Sequence, residues 1–370
     1  MGGIRRARLG GFREEEGICM ISKKPWLTSA AILVTLAFCI PVRAQDSGKE
    51  KTKNAALESS KRLEHAEAAA SLPAVIVHDP GDLPTLDLYY GAGGKEHAPD
   101  PNGTFTFVEE DMKQTSPKFD VVDAQGEKWR VKLGQEPQAE TAATRLLWAA
   151  GYFVDEDYYV AELKVEKLPK LHRGQEFVTA DGTAVRGARL KRKSKDMKKL
   201  GDWSWFENPF VGTKELNGLR VMMCLVNNWD LAADNNAIYE VDGERHYLVS
   251  DVGASFGSTG SSISRSKGKL DDYAKSKFIE KTNADTVDFV MHSKPFFLTA
   301  VNVPNYRHRS RMEEVGKHIP RADAKLLGQR LAQLSESQIQ DCFRAAGYSQ
   351  DKIDGYTKVV QQRIAELVAL

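Results

Sequence analysis

Three short segments in the first half of the chain change side-chain character at every second residue: FTFVEE at 105–110, KFDVVD at 118–123 and KWRVKL at 128–133. A polar loop at 111–117 separates the first two, and AQGE, a hairpin signal, separates the others. Alternation with a period of two puts one face of each segment in a core, so three antiparallel strands are predicted. GQEP at 134–137 breaks the pattern. ETAATRLLWAAG at 140–151 then spaces its apolar residues as a helix does, with Gly151 as the stop. Strand character returns in 158–165 and 184–191. A switch from period two to 3.6 and back predicts a sheet carrying one helix.

The second half has the opposite balance. A basic run, KRKSKDMKK at 191–199, and an aromatic loop, GDWSWFENPF at 201–210, lead into a helical segment at 218–227. NNWDLAADNN at 227–236 follows, then a hairpin from 237–241 and 246–253. The rest is expected to be mostly helical, with Ser335 capping one helix, Gly347 ending it, and a last amphipathic helix over 351–370. The fold class is therefore α+β. At 370 residues, 41% of them hydrophobic, the chain can bury a sizeable core, and a net charge of +1 excludes a global field that would recruit nucleic acid.

The first 44 residues read as a leader. MISKK at 20–24 is basic, the apolar run at 30–40 has secretory length, and Val42-Arg43-Ala44 has small residues where a signal peptidase reads them. Cleavage is expected after Ala44, with Met20 as a second candidate start, and the chain is expected to be exported to a periplasmic or extracellular site. The alternative is an uncleaved anchor, for which the run is short against the roughly 20 residues of a bilayer span. Phe38 is too large for lipoprotein cleavage before Cys39. Residues 45–71 are a charged tether, 72–104 an irregular extension, 105–200 the β-rich lobe and 201–370 the helical lobe. Beyond the leader only Cys224 and Cys342 remain. Cys224 reads as a buried free thiol, with a disulfide to Cys342 as the alternative, and no spacing suits structural zinc.

Two acids and four amides within ten residues, as in NNWDLAADNN, are expensive to bury and unnecessary in a plain turn. A Lys ends the third strand (Lys132), an acid opens the next helix (Glu140), Asp230 and Asn235 form D-x-x-x-x-N, and Asp251-Val252-Gly253 forms D-x-G. In this order and spacing the chain resembles the atypical protein-kinase-like superfamily that includes the phosphatidylinositol kinases and HipA-type kinases. The resemblance spans about 105 to 260 and implies a two-lobed fold that binds ATP with Mg2+ or Mn2+. It also implies a role for each residue. Lys132, held by Glu140, neutralises phosphate; Asp230 receives or orients the acceptor hydroxyl; Asn235 and Asp251 hold metal. Ser116 and Lys118, in the loop between the first two strands, stand where related kinases cover the phosphates, and Arg189, Leu190 and Lys191 stand where the lobes join and would face adenine.

Each residue also has a plainer reading: a solvated strand end for Lys132, a dipole-favoured helix-start acid for Glu140, turns for Asp251 and the Asp230 loop. Gly91 to Gly94 reads as a plain turn, and Trp229 and 203–206 as packing. Two residues after Asp230, related kinases carry Lys or His, and this chain has Ala232. Lys195, Arg265, Lys267 and Lys269 are candidate substitutes by sequence. The expected activity is ATP-dependent phosphotransfer to a hydroxyl of a protein, lipid or small molecule, with membrane contact only through the export signal. An exported pseudokinase scaffold is the alternative, favoured by Ala232 and by the scarcity of ATP outside a cytoplasm; nucleotidyl transfer to protein hydroxyls is the third reading.

Overall fold

The computed structural model describes residues 70–113, 115–194, 196–258, 266–291 and 311–370. The leader at 1–44, the tether at 45–71 except its last two residues, and Lys195 and Arg265 lie outside them. Among the described residues no helix is long and apolar enough to cross a membrane.

A two-residue strand, β1 (Ala74–Val75), precedes the three alternating segments, which form β2 (Thr104–Asp111), β3 (Lys118–Val122) and β4 (Lys128–Lys132). Helix α1 (Pro137–Ala149) follows, then β5 (Asp157–Glu166) and β6 (Ala184–Arg192). The three strands read from the sequence are antiparallel neighbours, as their alternation predicts. The sheet does not stay open. A parallel pairing of β2 with β5 closes a five-stranded barrel of order β2-β3-β4-β6-β5, filled by inward-facing residues such as Phe119, Val131, Val160 and Leu190. Closure removes the unpaired edges of an open sheet.

Helix α1 starts at Pro137, three residues before the expected start at Glu140. The reason lies in proline itself, which lacks an N–H and suits the first turn, where that donor has no partner in the helix. Gly151 ends it at φ +90. The buried face of α1 packs into the core of the helical half, not into the barrel.

The second half opens with β7 (Lys198–Gly201) and α2 (Lys214–Leu225), whose N-cap Thr213 accepts a hydrogen bond from the Leu216 N–H at 3.3 Å. The expected hairpin is β8 (Asn236–Val241) and β9 (Glu244–Val249). Its turn places Asp242 at φ +49 and Gly243 at φ +78, the left-handed pair that a two-residue hairpin loop requires. The hairpin is the centre of a four-stranded sheet, β1-β9-β8-β7, that takes one edge from the irregular extension and the other from the basic run.

After the hairpin come α3 (Leu270–Lys275), β10 (Ile279–Thr282), β11 (Thr286–Phe289), β12 (Ile319–Pro320), α4 (Arg321–Leu331), α5 (Glu336–Ala345) and α6 (Gln350–Ala369). The mostly helical half also holds a small three-stranded sheet, β10-β11-β12, that the sequence did not single out. Its strands hold two to four residues, too few for alternation to register. Ser335 and Gln338 form the expected capping box of α5. The fold is thus α+β and two-lobed, a β-barrel followed by a mostly helical half, each around its own core.

Candidate active site

Strand register creates the site's central problem. Lys132, at the end of β4, lies opposite Lys118 of β3 on one side and Arg189 of β6 on the other. Three cations side by side on neighbouring strands repel one another, so carboxylates must converge on them.

The Lys132 ammonium is fully buried and meets three of these. It lies 2.9 Å from Glu140 Oε2 and 2.5 Å from Glu136 Oε2, and it donates to both oxygens of Asp251 at 3.0 Å. Burial alone would lower its pKa; Glu140, Asp251 and Glu136 reverse that and hold it above the usual lysine range. Burial pushes Asp251 up, but Lys132, with Arg189 and Lys118, pulls it well below the usual carboxylate range. Glu136 is likewise drawn down, chiefly by Lys132 against its own burial. Lys132 is therefore no solvated strand end, and Glu140 no solvent-facing helix acid.

Arg189 Nη2 donates to Glu140 Oε1 at 2.7 Å, and its Nη1 lies 3.5 Å from Asp157 Oδ1. Asp157 is fully buried. Burial pushes its carboxyl up to about 7, against the pull of Arg189. The Arg189 side chain thus backs Glu140 on the face of β6 that points away from the barrel core. Leu190 faces the barrel core, which corrects its expected place against adenine: alternation along β6 turns it away from its two neighbours. Lys191 Nζ meets Asp155 Oδ2 at 2.6 Å and Ser250 Oγ at 3.0 Å.

The amides of NNWDLAADNN are mostly spent on backbone. Asn227, at φ +55, donates to Gly257 O at 2.9 Å and to Ser276 Oγ at 2.7 Å. Asn228 Oδ1 accepts from the Asp230 N–H at 3.2 Å, and Asn236 donates to Trp203 O at 2.9 Å. Asn235 Nδ2 donates to the Asp230 carbonyl at 3.1 Å, and its own carbonyl accepts from the Asp251 N–H at 3.0 Å. That last pair of bonds ties the D-x-x-x-x-N loop to D-x-G. Burial, then the charge of Asp251, raises the pKa of Asp230, with Asn235 and Lys267 opposing.

Arg363 of α6 anchors the same loop from behind. Its fully buried guanidinium donates to Leu225 O at 2.8 Å, Asn227 Oδ1 at 2.9 Å and Ser276 Oγ at 2.8 Å. It thereby caps the last carbonyls of α2, which precede the loop.

A cleft of about 470 Å³ opens over this cluster, lined among others by Lys118, Arg189, Lys191, Ser250, Asp251 and Asp234. That volume is within the range of small-molecule sites. Asp230 and Asn235 are not among its lining residues. Ser116, in the loop before β3, donates to Glu136 Oε2 at 3.1 Å. Glu136, Glu140 and Asp251 each offer an oxygen within 4.8 Å of the others, a hard donor set that suits Mg2+ or Mn2+. Sequence reasoning missed Glu136, Asp155, Asp157 and Ser250. Only Glu136 had a signal, an acid directly before the helix-starting Pro137. Gly91–Gly93 is a 3-10 turn packed so closely that a Cβ on Gly91 would lie 2.4 Å from Arg145 Cδ. Cys224 and Cys342 are both buried free thiols, each pushed up to about 12 by burial.

No family profile matches the chain, and no curated protein does. Among solved structures it is similar to the Helicobacter pylori proinflammatory kinase CtkA, at 12% identity and TM-score 0.37 over 72% of this chain and 94% of that one. It is also similar to the Golgi casein kinase, at 10% identity and TM-score 0.36 over 72% of each chain. A structure of the Golgi casein kinase with Mn/ADP bound gives 9% identity and TM-score 0.38, over 72% of this chain and 71% of that one.

Proposed function

We propose that the chain is an ATP-dependent phosphotransferase of the atypical kinase type, working on a hydroxyl acceptor of a protein, lipid or small molecule after export. The supporting observation is the buried ammonium of Lys132 bridging Glu140 and Asp251, with Asp230 and Asn235 tied to the same turn.

In this reading Asp251, with oxygen ligands from Asn235 or Glu136, would hold a divalent cation, whose charge would offset that of the bound phosphates. Lys132 binds the inner phosphates while Glu140 holds its side chain in place. The backbone and hydroxyl of the Ser116 loop, with Lys118, close over them as an anion nest. Asp230 takes the acceptor's proton, and its raised pKa makes it a better base than an exposed aspartate. Lys191, Asp155 and Ser250 form the polar wall on which the nucleoside would rest.

The test is transfer of label from the γ-phosphate with Mg2+ or Mn2+ by wild type, Asp230→Ala and Asp251→Ala. Losses of about 100-fold or more in both variants are expected; equal transfer by all three would refute the assignment. Ala232 favours a second reading, a scaffold without turnover, for which melting would not respond to nucleotide.

A further inference from the structure

The phosphotransferase reading leaves one charge unassigned, and this inference rests on that reading. Where related kinases place Lys or His two residues after the base, this chain has Ala232, which has no charge to offer the transferred phosphoryl group. We propose that Lys267 is the catalytic residue that supplies this cation, reaching the site from the far side of D-x-G.

Its surroundings are those of a placed side chain. The Lys267 side chain is 24% exposed and pairs with Glu136, the carboxylate that also meets Lys132 and Ser116. Its Nζ stands 5.2 Å from the centre of the Trp229 ring, and Trp229 directly precedes Asp230. Trp229 in turn donates to the Ser266 carbonyl at 3.4 Å. Lys267 also lies close enough to Asp230 to oppose the rise in that group's pKa. One ammonium therefore touches the acid at the start of α1 and the residue beside the base.

The backbone that carries it is held on both sides. Ser258 N–H donates to Ser266 Oγ at 2.7 Å, and Gly268 N–H donates to Ser255 O at 2.9 Å. Lys269 N–H donates to Phe256 O at 2.8 Å. Ser266 Oγ donates to Asp272 Oδ2 of α3 at 2.6 Å. The two strands of chain approach so closely that a Cβ on Gly257 would lie 1.9 Å from the Ser266 carbonyl oxygen. Residues 255–258 begin one residue after D-x-G, so this zipper fixes Lys267 relative to Asp251. Of the other substitutes weighed by sequence, Lys269 is the residue preceding α3, and Lys195 and Arg265 lie outside the described residues.

In the transfer step the acceptor oxygen forms a bond to the γ-phosphorus of ATP as the bond to the β,γ-bridging oxygen breaks. The electron pair leaves with ADP, and the acceptor's proton goes to Asp230. Charge is then spread over the equatorial oxygens of the phosphoryl group, which a cation placed beside the base stabilises more than it stabilises bound ATP. The ammonium pairs with Glu136, whose charge it shares with Lys132.

The experiment compares wild type, Lys267→Ala, Lys267→Arg and Asp251→Ala by affinity for a fluorescent ATP analogue with Mn2+ and by steady-state γ-phosphate transfer. The expected result is nucleotide affinity within about 3-fold of wild type for Lys267→Ala, with kcat lower by about 100-fold or more and KM little changed. Lys267→Arg should recover at least about 10-fold of that loss, which a packing role would not produce. Wild-type kcat in Lys267→Ala beside an inactive Asp251→Ala would overturn the role of Lys267 and leave the phosphotransferase standing, as would parallel loss of affinity and kcat. A wild-type chain that transfers nothing would overturn both.

Discussion

Lys132 and Asp251 are 119 residues apart in the chain, yet the ammonium of one meets both carboxylate oxygens of the other at 3.0 Å. The contact joins the end of β4 in the barrel to the turn after β9 in the helical half. A burial this costly is maintained only where the geometry is good and every partner is present.

Lys132→Met removes the cation and leaves Glu136, Glu140 and Asp251 facing one another. A loss of about 3–5 kcal/mol in urea unfolding at neutral pH is expected. The loss should shrink as pH falls and the acids are protonated. Added Mn2+ should restore more stability to the variant than to wild type, because the ammonium no longer competes for the oxygens.

Asp157 carries the opposite sign. Among the described residues neither of its carboxylate oxygens has a hydrogen-bond partner, and burial pushes it up to about 7 from 3.8. The charges that act on it include Arg189, Glu140, Asp155, Lys191 and Arg145. Because the folded chain holds this proton where the unfolded chain releases it, its contribution is full below about pH 4 and is lost as pH rises through about 7. Asp157→Asn keeps the shape and cannot ionise. The stability of wild type relative to this variant should therefore decline between those pH values, measured by denaturant unfolding across the range.

The raised pKa of Asp230 predicts the acid limb of the rate profile. Turnover should rise with pH through a midpoint above the aspartate value of 3.8 and level off once the carboxylate is ionised. In Asp230→Asn that limb should disappear with most of the activity.

Arg363→Ala should act at a distance. It strips donors from the buried carbonyls of Cys224 and Leu225 and from Asn227 Oδ1, bonded at 3.2, 2.8 and 2.9 Å. Destabilisation of at least about 3 kcal/mol is expected. At temperatures where the variant is folded, kcat should fall more than nucleotide affinity, since the Asp230 loop loses its anchor.

What the sequence revealed follows from period and spacing. The strands β2 to β6 and helix α1 have enough residues for their periods to register, and the tie of Lys132 to Glu140 follows from a strand end meeting a helix start. Barrel closure was not legible, because the parallel β2 and β5 pairing joins residues sixty positions apart, such as Thr104 and Lys164. The short strands β1, β7 and β10 to β12 take their conformation from neighbours, not from local preference. Asp157 and Asp155 precede or open a strand and look like ordinary turn acids until the barrel folds them under Arg189 and Lys191. The amide cluster divides its work: the Asn235 carbonyl accepts from the D-x-G turn, while Asn227, Asn228 and Asn236 chiefly satisfy backbone and neighbouring loops.

The most direct test is calorimetric titration of the full chain with ATP in the presence of Mn2+, comparing wild type with Asp251→Ala. The account predicts saturable one-to-one binding in wild type that weakens by at least about 100-fold in the variant, while both unfold cooperatively. Equal affinity in the two proteins, or no heat of binding by wild type at any Mn2+ concentration, would contradict it.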